Sequence, residues 1–375
     1  MSGKTKTSSI EEAILLIPRK DIAYLEEALS LAQTAGYRVK SIVKLRNPRR
    51  LGRGLIEKIA IEAEENGIDT IIIYAEPPPT TIYQLQKATR KRVVDRVSLI
   101  LEIFWRHAGS REAQLQIEAA RIKHQLPLLR EYVRRARMGE DPGFLGPGEY
   151  AIDKYRYSLE RKLARIRRQL DEIRKRRVDY FERRRRLGMA HASLVGYASA
   201  GKTTLFNALT GETKPTGEEY FTTLHPKHKA IVAEGVKIVF VDTVGFIRKV
   251  PHEIIEAFKS TLEEVAYSDV IVFVVDVAET DRDIIDKVEA GLDTLANIGA
   301  AGLDGRLIVA ANKVDLLKDY ERVHKIKLVE DAINEYVPHT PVVPVSARTR
   351  EGLRDLLKRV ALIAGKTVRA LGPLS

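Results

Sequence analysis

The sequence predicts an α/β protein in three parts: an N-terminal parallel α/β domain over residues 1–110, an antiparallel helical hairpin over 111–187, and a doubly wound α/β domain over 188–375. Three observations lead there. Short β-rich runs alternate with helically spaced segments across residues 12–108. Two heptad stripes then flank a connector full of helix breakers. From Ala192 onward, apolar runs recur and close on Gly, Asp or Asn, as buried parallel strands do when their ends carry polar loops.

In the first part Ala13–Ile17, Arg38–Val43 and Thr70–Tyr74 read as strands, and Ile22–Ala35, Gly54–Asn66 and Thr80–Arg90 as helices. Strands and helices in alternation form a parallel sheet, because each crossover needs a helix on a sheet face. Gly52-Arg53-Gly54 reads as a pair of turn glycines, since no lysine or full phosphate-binding fingerprint accompanies it.

In the second part Leu115, Ala119, Ile122, Leu126, Leu129, Val133 and Ala136 step 4-3-4-3-4-3, and Leu159, Leu163, Ile166, Leu170 and Ile173 step 4-3-4-3. Between them Gly139-Glu140-Asp141-Pro142-Gly143-Phe144-Leu145-Gly146-Pro147-Gly148-Glu149 cannot continue a helix, so the two helices fold back on each other around a tip loop. Pro127 is expected to kink the first helix. Charge marks the same segment: residues 111–187 hold 22 Lys and Arg against 12 Asp and Glu, an excess of 10 out of the chain's net +12. Too few acids are present to pair these arginines, the densest runs being Arg174–Arg177 and Arg183–Arg186. The excess points to a polyanion, and RNA is the natural choice because guanidinium forks match phosphate. No consensus of interleaved aromatics is present, so recognition would follow shape and backbone.

The third part carries the chemistry. Ala192–Val195 runs into Gly196-Tyr197-Ala198-Ser199-Ala200-Gly201-Lys202-Thr203, followed by the helical Thr204–Thr210. This is the G-x-x-x-x-G-K-[ST] phosphate loop, or P-loop, whose backbone N–H groups surround a β-phosphate. Lys202 is assigned to the β/γ charge and the Thr203 hydroxyl to Mg²⁺. The strand Val236–Val241 ends in Asp242-Thr243-Val244-Gly245, a D-x-x-G in which Asp242 serves Mg²⁺ through water and the Gly245 N–H senses a γ-phosphate. Upstream, Phe221-Thr222-Thr223-Leu224-His225 lies in a polar loop where a threonine can close over Mg²⁺ and γ-phosphate; Thr223 is the favoured one. Leu307–Ala311 leads to Asn312-Lys313-Val314-Asp315, the N-K-x-D of guanine readers. A carboxylate there accepts N1–H and the exocyclic amine of guanine, and adenine would leave it unpaired at a cost of several kcal/mol. Val342–Val345 then delivers Ser346-Ala347-Arg348, whose backbone can reach guanine O6. Five elements in this order describe a P-loop GTPase domain that takes GTP/GDP and Mg²⁺. After Gly245, where many small GTPases carry a water-orienting glutamine, stands Phe246, so slow intrinsic hydrolysis that depends on a partner is expected.

These strings also resemble the HflX family of ribosome-associated GTPases. The resemblance rests on Asp242–Arg248 followed by Pro251-His252 and Ala257–Glu264, on Asp95-Arg96-Val97 with Ile103-Phe104, on Arg111–Gln116, and on Gly146-Pro147-Gly148-Glu149. It spans essentially the whole chain. It implies association with ribosomal RNA of the large subunit through the hairpin and N-terminal domain, in ribosome dissociation or rescue under stress. The phosphate loop departs from the family's usual Gly-Tyr-Thr-Asn-Ala-Gly-Lys-Ser at Ala198, Ser199 and Thr203, of which Thr203 is chemically equivalent toward Mg²⁺. The alternative reading is an RNA-binding or remodelling protein in which GTP only locks conformation.

Composition narrows the class. With no cysteine the chain has no disulfide or thiol chemistry. Met1–Lys6 shows no leader-like apolar stretch, and the longest apolar run, Val270–Val277, is broken by Asp276 and far short of a span. A cytoplasmic monomer with no membrane association is expected, its heptads being satisfied within one hairpin.

Overall fold

The computed structural model describes residues 11–138, 148–212, 227–243, 246, 265–297, 303 and 305–370. They form two compact units, one of residues up to Arg106 with Gln114–Gln169, the other of His107–Ala113 with residues from Leu170 onward.

The first unit is built on four parallel strands, β1 (Glu11–Pro18), β2 (Tyr37–Leu45), β3 (Thr70–Ile73) and β4 (Arg92–Asp95), in the order β2-β1-β3-β4. Ala13–Pro18 of the central β1 is buried without a break, as a strand covered on both faces must be, whereas edge strand β2 alternates. Helices α1 (Leu25–Thr34), α2 (Arg53–Glu65), α3 (Pro79–Thr89) and α4 (Arg96–His107) complete it.

Three differences from expectation have local causes. The helix expected from Ile22 starts at Leu25, because Arg19–Tyr24 winds as a tighter 3₁₀ turn after the extended Pro18. The pair β4 and α4 has no counterpart among the expected elements: β4 has only four residues with charge at both ends, and α4 buries Leu99, Ile100 and Leu101 in succession, which erases a helical stripe. Gly52 and Gly54 are not turn glycines of steric necessity. Gly52 precedes α2 in extended backbone, Gly54 lies in its first turn, and an added Cβ would meet nothing within 4 Å at either.

The hairpin helices are α5 (Arg111–Arg137) and α6 (Gly148–Arg186), and α5 is helical at every residue through Pro127. The heptad stripes face inward: Leu115, Ala119, Ile122, Leu126 and Val133 are buried, as are Leu159, Leu163 and Ile166. Ion pairs Glu118–Lys162 at 2.5 Å and Arg130–Glu160 at 4.0 Å join the two helices in antiparallel sense. Residues 139–147 of the expected tip lie outside the described residues. Helix α5 also packs on the sheet domain. Tyr132 meets Tyr83 edge-on at 5.0 Å and donates to Gln86 Oε1 at 2.5 Å, and Arg135 covers the Tyr83 ring.

In the second unit the described residues form a six-stranded sheet of β5 (Met189–Gly196), β6 (Lys227–Ala233), β7 (Val236–Asp242), β8 (Val270–Asp276), β9 (Leu307–Asn312) and β10 (Val342–Val345), ordered β10-β9-β8-β5-β7-β6. Only β6 with β7 is antiparallel. Helices α7 (Lys202–Thr210), α8 (Asp281–Asn297), α9 (Asp319–Asn334) and α10 (Leu353–Ala370) flank it. Strand β5 has β7 on one side and β8, β9 and β10 on the other, so successive loops diverge at its carboxyl end and open the crevice where such sheets bind ligands. No helix among the described residues is long and apolar enough to cross a membrane.

Candidate functional site

Strand β5 must end on glycine. At Gly196 φ is +143°, and a Cβ would lie 2.3 Å from the Val274 carbonyl oxygen of β8. The loop then crosses left-handed backbone at Ser199 (φ 64°) and at Gly201 (φ 90°), where a Cβ would strike Asn312 Nδ2 at 2.3 Å. Helix α7 begins at once with Lys202, so its N-terminal N–H groups face the loop.

Lys202 is 7% exposed and its Nζ donates to the Tyr197 carbonyl at 2.7 Å. Burial pushes the ammonium pKa down to about 8, with Asp242 restoring part of the loss. The Thr203 hydroxyl donates to Asp242 Oδ2 at 3.0 Å, setting two hard oxygen ligands side by side at the mouth of the loop, the donor chemistry Mg²⁺ takes. Thr204 continues α7. Thr243 turns away, its hydroxyl donating to the Leu194 carbonyl at 2.6 Å.

Phe246 docks on the phosphate loop through backbone: its N–H donates to the Gly196 carbonyl and its carbonyl accepts from Ala198 N–H, both at 2.9 Å. Its ring is 4% exposed and meets Tyr197 edge-on at 6.3 Å. Phe221, Thr222, Thr223, Leu224, His225, Val244 and Gly245 fall outside the described residues.

The two strings expected to read the base converge on the loop. Asn312 Nδ2 donates to the Ala200 carbonyl at 2.8 Å, and its Oδ1 accepts from Ala347 N–H at 3.0 Å, so this one amide ties three segments together. The Ala347 N–H is therefore engaged by Asn312. Lys313 adopts φ 71° and leads into a short 3₁₀ turn, Val314–Leu316. Asp315 Oδ1 accepts from the Ser346 hydroxyl at 2.6 Å and Oδ2 from Arg348 at 2.5 Å. Burial acts to raise the Asp315 pKa, but the Ser346 hydrogen bond and the Arg348 guanidinium outweigh it and hold the carboxyl below its usual range. A carboxylate kept ionised beside a buried amide suits a base that offers two donors on one edge.

One contributor escaped the sequence motifs. Asp276, the last residue of β8, accepts from Lys313 Nζ at 2.5 Å. Its signal was present in the sequence, since it closes an apolar strand as Asp242 does.

Comparison with known proteins agrees along the chain. Residues 23–105 match a family model described as GTP-binding GTPase N-terminal, residues 107–185 one described as GTP-binding GTPase middle region, and residues 191–313 one described as 50S ribosome-binding GTPase. A protein of Hyperthermus butylicus named GTPase HflX is 47% identical over 96% of this chain and 98% of its own length. Another of that name from Methanocaldococcus jannaschii is 38% identical over 93% of this chain and 85% of its own. Among solved structures, a GTP-binding protein from Sulfolobus solfataricus in complex with GDP has 29% identity and a TM-score of 0.51, covering 95% of this chain and 99% of that one. A complex of a protein called SsGBP with GDP gives 30% identity and a TM-score of 0.56 over 96% and 99%.

Proposed function

This chain belongs to the HflX family of GTPases, and on that premise we propose that its GTP cycle governs attachment to the large ribosomal subunit through the basic hairpin and N-terminal domain. The protein binds GTP and GDP with Mg²⁺ and hydrolyses GTP to GDP and phosphate. The site residues take these roles. Backbone N–H groups of 197–201 and the α7 N-terminus receive the β-phosphate, and Lys202 neutralises β/γ charge. Thr203 and Asp242 hold Mg²⁺ with Thr223, and the Gly245 N–H contacts the γ-phosphate. Asn312, Lys313 and Asp315 read guanine, with Ser346, Ala347 and Arg348 closing that side. Mg²⁺ supplies charge neutralisation between the phosphates. Phe246 cannot orient a water, so intrinsic turnover is slow and depends on positioning supplied by a partner.

The outward face of α6 carries the ribosomal part of this reading. Lys154, Tyr157, Arg161, Arg165 and Arg168 recur at i, i+3, i+7, i+11 and i+14, all exposed. None of the four cations has an acidic partner among the described residues. The stripe extends about 21 Å along one side of the helix, a track for a phosphate backbone. In this proposal the chain works as three functional parts, 1–110, 111–187 and 188–375, and acts in dissociation or rescue of stalled ribosomes under stress.

GTP turnover measured with and without purified large subunits, at low and moderate salt and with ATP as control, tests it. Strong guanine-specific stimulation is expected, and its absence would sink the ribosomal reading. Lys202→Ala should also abolish productive ribosome engagement. A variant that binds and acts on RNA as the parent does would instead favour a protein in which GTP only locks conformation.

A further inference from the structure

The lysine of a guanine-reading loop is useful only if its stem lies still against the base, yet lysine is among the most flexible side chains. Here something holds it. Asp276 closes β8 in register with Asn312 at the end of β9, and the Val277 N–H donates to the Asn312 carbonyl at 3.1 Å. The Asp276 carboxylate is 9% exposed and divided between two tasks. Oδ1 accepts the Ala278 N–H at 3.0 Å, shaping the turn that leaves β8, while Oδ2 accepts Lys313 Nζ at 2.5 Å. The neighbouring acids are otherwise engaged, Glu279 with Lys287 and Asp281 with Lys325 and His324. Among the described residues Asp276 is the one acidic partner of Lys313. The lysine backbone is also constrained, in left-handed conformation at φ 71° with its carbonyl accepting from Leu316 N–H at 3.0 Å.

We propose that Asp276 is a positioning residue for guanine recognition, anchoring the ammonium of Lys313 so that its aliphatic stem presents a fixed apolar face to the base. The inference rests on the reading of Asn312–Asp315 as the guanine site. Asp276 touches no substrate atom in this account. It acts by restricting Lys313 before the nucleotide arrives, which lowers the ordering cost of binding.

Asp276→Asn isolates the role, because an amide oxygen can still accept from Ala278 N–H while the charge facing Lys313 is gone. GDP affinity should fall about tenfold, chiefly through faster dissociation, and KM for GTP should rise with it while kcat moves less than twofold. In a Lys313→Met background, which keeps an apolar stem without the ammonium, adding Asp276→Asn should change GDP affinity by less than twofold. Losses that multiply in the double variant would place Asp276 in a general structural role and overturn the proposal. So would a single variant indistinguishable from the parent while the parent prefers GDP to ADP. A parent protein that binds ADP as tightly as GDP would overturn the guanine-site reading itself, and this inference with it.

Discussion

At the scale of single residues, Lys202 carries a pH signature. Its ammonium is buried beside Asp242 and titrates near 8, well below an ordinary lysine. A triphosphate stabilises only the charged form, so the pKa rises on binding and association takes up a proton wherever the free group has lost one. The sign is fixed: uptake grows as pH rises through 8, and affinity weakens about fivefold between pH 8 and pH 9. Calorimetry of GDP binding in buffers of different ionisation enthalpy reads this directly. Equal proton uptake at pH 7 and pH 9 would show that Lys202 is charged throughout. Recognising that Lys202 belonged to a phosphate loop needed only the string Gly201-Lys202-Thr203. Its shifted titration depends on burial by neighbours remote in sequence.

At the scale of elements, Asp95 is the joint between α4 and α5. It is the N-cap of α4, accepting Ser98 N–H at 2.8 Å, and its other oxygen meets His124 Nε2 of α5 at 2.6 Å. Burial works to raise its pKa, but the hydrogen bond and charge of His124 and the Ser98 bonds outweigh it, so the folded value lies below the ordinary carboxylate range. The stabilisation is therefore complete above the unfolded pKa and disappears as pH falls through the lower, folded one. Asp95→Ala removes both bonds, worth about 3 kcal/mol together. Native-state hydrogen exchange should show protection lost by about a hundredfold in the first turn of α4 and around His124 in α5. Unchanged protection at His124 would mean that other contacts of α5, such as Tyr132 with Tyr83 and Arg121 with the Leu101 carbonyl, hold it in place without Asp95. The string Asp95-Arg96-Val97 stood out in the sequence only by resemblance, because neither the cap nor its partner 29 residues away has a local periodic signature.

For the whole molecule, charge and fold meet on the hairpin. Most of the net positive charge lies in residues 111–187, and folding determines which cations remain available. Arg134 and Arg135 pair with Glu131, Arg156 with Asp153 and Glu160, and Lys162 with Glu118. Arg161, Arg165 and Arg168 stay unpaired among the described residues and point the same way. If these arginines make the proposed contact with the large subunit, replacing the three by Gln should reduce the slope of log affinity against log salt by about 2 to 3, at roughly 0.7 to 0.9 for each phosphate no longer neutralised. A slope unaffected by the triple change would show that these arginines are no part of the proposed ribosome contact.

By itself the sequence determined what depends on neighbours along the chain: the periodicity of the long helices, the alternation of strands and helices that makes a parallel sheet, and the short strings of a P-loop GTPase domain. Glycine at 196 and 201 was legible because no other residue suits that turn, although only the fold shows which atoms forbid a side chain, the Val274 carbonyl and the Asn312 amide. The tertiary structure alone decided the cross-chain bonds. Asn312 fastens Ala200 to Ala347, Asp276 holds Lys313, and β4 exists because β3 offers it a ladder. Such bonds join residues from separate strands, and no spacing within one segment encodes a partner that only sheet order brings near.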